Sequence, residues 1–235
     1  MYSFAAAVHG DVVKWIGGVD NRWETAGNWI YGAVPTEGQS VLFERNAHIY
    51  IEKGTTVAAV ATMTIADGAK VRIETTDEWG WDNGPVLPFA KITGGGVLQL
   101  KHAQLRGAPA EGESAVIKCG GIEILSHANN DSRRSSILDV PVDGAPMIVT
   151  ADISGVGYLK AWDRIAFGGD NSGFKGEIHC ESWGASLVMK DGANVTLEVA
   201  SGKINDSHNG DGFEVRTRAE GAGAVAIGLR RGLIS

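Results

Sequence analysis

The sequence repeats itself, and repetition confines a chain to architectures in which units stack, because one repeat cannot bury its apolar face alone. The clearer copy lies in 153–189, ISGVGYLKAWDRIAFGGDNSGFKGEIHCESWGASLVM, and a weaker one in 92–125, ITGGGVLQLKHAQLRGAPAEGESAVIKCGGIEIL. A single offset of 61 residues matches Ile92 with Ile153, Gly94 with Gly155, Gly96 with Gly157, Leu98 with Leu159, Gly107 with Gly168, Gly112 with Gly173, Ile117 with Ile178 and Cys119 with Cys180. Within each copy, short apolar and β-branched runs alternate with Gly, Asn and Asp, the pattern of brief strands separated by turns; no helical period is present.

The rest of the chain reads the same way. Glycine supplies 33 of 235 residues, about twice the usual share and without the every-third spacing of collagen, so these glycines are turn residues. Strand, turn, strand, turn, strand follows over 49–75, with β-branched alternation at Val71, Ile73 and Thr75, as rungs of parallel strands buried on one face require. The expected fold is therefore all-β, a right-handed parallel β-helix in one domain over 12–235, with roughly 20 residues per rung; a β-sandwich is the alternative. Residues 12–48 hold Trp15, Trp23 and Trp29 among turn residues. Large aromatics near one end of a stack close its open core, so this segment is expected to be an N-terminal cap; a sugar-stacking platform is its functional alternative. Residues 126–136, SHANNDSRRSS, separate the two copies as a polar loop.

If the 61-residue offset is a stacking register, Cys119 and Cys180 occupy equivalent positions about three rungs apart. At ~4.8 Å per rung that is ~14 Å, beyond disulfide reach, so two free, inward-facing thiols are expected.

The order W-x-G-G-x-D-x-x-W-x-x-A-x-N-W-x-x-G-x-x-P-x-x-G-x-x-V-x-F from Trp15 to Phe43 resembles the start of secreted bacterial proteins carrying autotransporter-associated β-strand repeats. The copy at 153–189 is similar to their repeat unit: Ile153, Ser154, Gly155, Gly157 and Leu159, then 165–167, then GDNSGFKG at 169–176, then Ile178 and 184–187. It departs from that unit at Ala161-Trp162-Asp163-Arg164, where the family has Lys-x-Gly, and the long outer-membrane barrel that ends many members is not in this sequence. The resemblance implies a passenger-type β-helix, secreted or at the cell surface of a Gram-negative-type bacterium.

Charge and motifs narrow the function. A net charge of −7 opposes a nucleic-acid partner, which needs a basic stripe. No apolar run reaches the length of a membrane-spanning helix. Residues 1–11 read as a leader or signal-peptide remnant, with small residues at Ala5, Ala6 and Ala7 but no basic start. A polysaccharide hydrolase on such a scaffold needs paired carboxylates, and a lyase several acids facing an Arg or Lys base; neither pattern is found, so no catalytic residue is expected. The oxygen-rich run 205–212 has Arg216 where an EF-hand loop needs its bidentate Glu, and Asp170-Asn171 serves an Asx turn, so no metal or cofactor is expected. Trp79 and Trp81, two apart beside Asp77, Glu78 and Asp82, are the candidate glycan contacts; the alternative is that they pack down beneath their loop. The expected function is a non-enzymatic structural or adhesive protein that contacts a glycan or a host or matrix surface. The alternatives are a polysaccharide-binding or polysaccharide-degrading β-helix and a fibre subunit that self-associates through its ends.

Overall fold

A computed structural model describes residues 12–75, 85–125, 136–141, 145–162, 165–169 and 173–174, together with short strands between 177 and 226. Among the described residues, regular secondary structure is almost entirely β-strand. After β1 (Val12–Lys14) and two single 3-10 turns, Ala26–Asn28 and Ile30–Gly32, successive passes lay down strands in a fixed order. The first three passes have two strands each: β2 (Ser40–Phe43) and β3 (Ala47–Ile51), β4 (Val60–Ile65) and β5 (Lys70–Thr75), β6 (Val86–Thr93) and β7 (Val97–Lys101). The following passes have three: β8 (Gln104–Gly107), β9 (Val116–Lys118) and β10 (Gly121–Ile124), then β11 (Ser136–Asp139), β12 (Met147–Val149) and β13 (Ile153–Gly155). Beyond them come β14 (Tyr158–Trp162) and β15 (Ile165–Phe167), then β16 (Glu177–Cys180), β17 (Ser186–Met189), β18 (Val195–Thr196), β19 (Ile204–Asp206), β20 (Glu214–Thr217) and β21 (Val225–Ala226).

Every pairing between these strands is parallel, each strand lying on its counterpart from the pass before. One ladder runs β3, β5, β7, β10, β13 and another β1, β2, β4, β6. At β6 the second ladder divides: Val86 to Phe89 carry β8, β11, β14, β16 and β19, and Lys91 to Thr93 carry β9, β12, β15, β17 and β20. We call these the first face (the β8 branch), the second face (the β9 branch) and the third face (the β3 ladder). The hairpin ladders from which antiparallel β-sandwiches are built do not occur among the named strand pairs.

Alternation explains which side of each strand is dry. In β5, Val71, Ile73 and Thr75 are buried while Lys70, Arg72 and Glu74 are not, because successive side chains leave a strand on opposite faces. Stacking in register turns these alternations into apolar columns. Ile49, Ile73, Leu100 and Ile124 pair in sequence on the third face. Met63, Ile92, Ile117, Val149 and Phe167 do so on the second, and Leu87, Leu105, Leu138 and Ala161 on the first. All are nearly or completely buried, each large aliphatic or aromatic member contributing about 1.5–3 kcal/mol of transfer free energy.

The stacking period is not constant. Leu87 to Leu105 is 18 residues (105 − 87) and Leu105 to Leu138 is 33 (138 − 105) on the same face, where the sequence suggested roughly 20 throughout. The 61-residue offset is likewise not a stacking register. Ile92 pairs with Ile117 on the second face, whereas Ile153 pairs with Ile122 on the third. Cys119 follows β9 at the corner between second and third faces, whereas Cys180 ends β16 and pairs with Ala161 on the first. The two cysteines are therefore not equivalent positions. What the two copies share is a corner. Gly94 and Gly155 have φ of +103° and +105°, and a Cβ on either would overlap a carbonyl of the preceding pass, Ile65 O or Ile124 O. Two residues later, Gly96 N donates to Ile65 O at 3.1 Å and Gly157 N to Ile124 O at 3.4 Å. One corner turns from the second face to the third, the other from the third to the first.

The Trp-rich segment lies on the first pass. β1 pairs with β2, and residues 21–23 run beside β3, with Tyr50 N donating to Asn21 O at 2.7 Å and Trp23 N to Tyr50 O at 3.0 Å. Trp29 is fully buried between Trp15 and Trp23, with ring centroids 4.9 and 4.8 Å away in edge-to-face contact, and Phe43 lies beneath at 6.1 Å. Trp29 Nε1 donates to Trp23 O at 2.8 Å. Buried Asn28 binds the connecting loop: its Oδ1 accepts from Val19 N and Asp20 N, and its Nδ2 donates to Asp20 Oδ1 and Arg22 O. All three indoles are at most 5% exposed, so they close the core and offer no platform to a sugar.

Candidate functional site

Since the inward columns are apolar apart from Thr75 and Ser136, the charged chemistry on this molecule resides on the outward positions, where registered strands align side chains at ~4.8 Å intervals. On the third face an electrostatic chain crosses three strands and the cap. Glu74 accepts from Lys101 Nζ on one oxygen at 2.7 Å and pairs with His48 Nε2 through the other at 2.8 Å. His48 Nδ1 faces Asn21 Nδ2 at 3.4 Å, so these partners favour the tautomer with its proton on Nε2. Partial burial pushes the Glu74 carboxyl up, but the Lys101 ammonium and His48 together outweigh it and hold it below its ordinary value. With both carboxylate oxygens and both ring nitrogens engaged, this chain ties three passes together. Further along, Gln99 Nε2 donates to Glu123 Oε2 at 2.6 Å.

The first face carries a second group. Arg106 pairs with Asp139 in the β8–β11 register, and Asp139 with Trp162 in the β11–β14 register. Asp139 is 4% exposed; its Oδ2 accepts from Arg106 Nε at 2.6 Å and from Gln104 Nε2 at 3.2 Å. Lys160, in the adjoining outward column, is also buried and is partnered. Two charged residues removed from water on the outward side of a sheet distinguish this face from the third, whose outward charged residues are all at least partly exposed.

The segment that holds Trp79 and Trp81 and the polar segment that follows the first copy join the same two faces. Residues 76–84 connect β5 to β6 and residues 126–135 connect β10 to β11, in each case leading from the third face to the first. The strands they enter, β6 and β11, flank β8, which carries Gln104 and Arg106.

Trp79 and Trp81 themselves lie outside the described residues, as do residues 1–11, Asp170-Asn171, the arginine pairs 133–134 and 230–231, and all of 205–212 except Asn205 and Asp206 in β19. Cys119 is free and half-buried against the edge of the core, with its Sγ donating to Gly121 O at 3.3 Å; burial pushes its thiol up, away from thiolate chemistry. Among the described residues no group of three or more His, Cys, Asp or Glu is placed to hold a metal ion, and no helix is long and apolar enough to cross a membrane.

Sequence reasoning missed the Arg106–Asp139 pair. Each half was visible as a charge at an outward position of an alternating strand, QLRG at 104–107 and SILD at 136–139. Their juxtaposition depends on a 33-residue pass that no fixed repeat length anticipates. Compared with known proteins, the chain matches no family model, and no curated protein and no solved structure shows significant similarity to it.

Proposed function

We propose that the chain is a right-handed parallel β-helix with a Trp-rich N-terminal cap, acting as a non-enzymatic, secreted or cell-surface protein of the passenger type. Its stacked strands are the stalk, and its first face, with the loops that border it, meets a glycan or a host or matrix surface. The observation that carries this reading is the shared corner: two long segments, 76–84 and 126–135, both lead onto the first face, while between them the same corner is turned by only His102 and Ala103. Long connections between the strands of a regular scaffold are the usual places where rigid repeats carry contacts. The parallel ladders and continuous apolar columns support the stalk, and the closed aromatic end favours a capped protein over one that adds further copies at its N-terminal end.

Protease treatment of intact cells of the source organism, followed by immunodetection of the chain, tests the reading. Release or cleavage of the chain without lysis is the expected outcome; protection until the cells are broken would contradict it. A reducing-sugar or unsaturated-uronate assay on a polysaccharide panel tests the non-enzymatic part, with no turnover expected.

A further inference from the structure

The first face combines features that a stalk does not need. Asp139 is a carboxylate with almost no exposure at an outward strand position, and a charge so dehydrated is costly unless its lone pairs are filled. Its two donors, Arg106 Nε and Gln104 Nε2, converge on Oδ2 alone; no described residue donates to Oδ1. Arg106, for its part, engages Asp139 through Nε, and no described residue is bonded to the Nη groups of this side chain, which is 47% exposed and can offer them to a ligand. A fork of donors thus stands beside an acceptor that no described residue fills, both fixed on strands. Next in the same column comes Trp162, partly buried on β14. At ~4.8 Å per strand the column from Arg106 to Trp162 spans about 10 Å, the scale of a short oligosaccharide.

We propose that Arg106, Asp139 and Trp162 form a binding strip for a neutral saccharide running along the stack, across the strands. This rests on the reading that the first face is the contact face, and it names that face's ligand. Sugar hydroxyls donate and accept, so one vicinal pair accepts from Arg106 Nη and donates to Asp139 Oδ1. The indole of Trp162 stacks on the apolar face of a neighbouring pyranose. Charge selects a neutral ligand: Arg106 and Asp139 cancel, Lys160 in the adjoining column is buried and partnered, and an anionic sugar would meet both the Asp139 carboxylate and a protein of net charge −7.

The test is a glycan array of neutral and acidic oligosaccharides probed with the full chain, then titration calorimetry of the best neutral ligand against Trp162→Ala, Arg106→Gln and a Trp79→Ala, Trp81→Ala double variant. Thermal melts control for folding. A neutral glycan is bound, Trp162→Ala and Arg106→Gln each weaken it at least about tenfold, and the double variant retains it. Should Arg106→Gln not fold, Trp162→Ala, at a partly exposed position, decides alone. No glycan bound, acidic glycans only, or affinity lost only in the double variant would overturn the strip. Surface display is scored separately: display without glycan binding defeats this inference alone, whereas Trp162-dependent binding by a chain confined inside the cell defeats the stalk reading and leaves the strip standing.

Discussion

Gly94 and Gly155 show how single residues set the path of this chain. Each adopts a left-handed backbone where its missing side chain lets one pass press against the carbonyl of the pass before. Gly112 also has a positive φ, +79°, yet a Cβ there meets nothing within 4 Å. Gly112→Ala should therefore cost only the backbone strain, about 1 kcal/mol, while Gly155→Ala adds a backbone collision and should cost several times as much; urea denaturation of the two variants measures the difference. The corner itself was legible, since glycines at matching places in the two copies are what a close turn demands. The role of the cysteines was not, because equivalence was inferred from an offset that moves matched strand residues such as Ile92 and Ile153 onto different faces. Cys119, with its thiol pushed up by burial and bonded to Gly121 O, should react with a thiol reagent such as DTNB far more slowly in the folded protein than after denaturation. Equal rates in both states would contradict its placement.

Among the elements, the cap and the third face make the sharpest claims. Trp29 is fully buried and packs against Trp15, Trp23 and Phe43, so Trp29→Ala should destabilise the fold by about 3–5 kcal/mol in chemical denaturation. An effect near zero would mean the end of the stack closes some other way. On the third face, Glu74 bridges His48 and Lys101. Its folded-state value lies below the ordinary 4.5, so the unfolded chain takes up the proton first as pH falls. The contribution of Glu74 is then complete above about 4.5 and disappears as pH falls through the folded value. Stability measured by urea titration should drop across that window in the wild type and drop less in Glu74→Gln. Alternation at 70–75 made β5 readable from sequence, and so did its wet side. Which outward residues meet was not readable: His48 reaches Glu74 from 26 residues away, and Arg106 reaches Asp139 from 33. Those separations are set by loops of irregular length.

On the scale of the whole molecule, stacking in register accounts for the core, the cap and the outward columns together. Strands of two to eight residues are too short to be stable alone, and those within the ladders are held by the passes on either side. The all-β character and the parallel pairing follow from short alternating runs between glycine turns, and were legible. The change from two strands per pass to three was not. It depends on the break between β8 and β9, residues 108–115, which in sequence looks like any other loop. All of these features depend on the parallel ladder. Spin labels at His48 and Ser154, both exposed, bracket the third-face column through Arg72, Gln99 and Glu123. Four strand spacings of ~4.8 Å separate their backbones by about 19 Å, while 106 residues separate them in sequence (154 − 48). Double electron–electron resonance between the two labels should give a narrow distribution centred near that separation, adjusted for the label linkers. A broad distribution, or one centred beyond twice that distance, would contradict the stack.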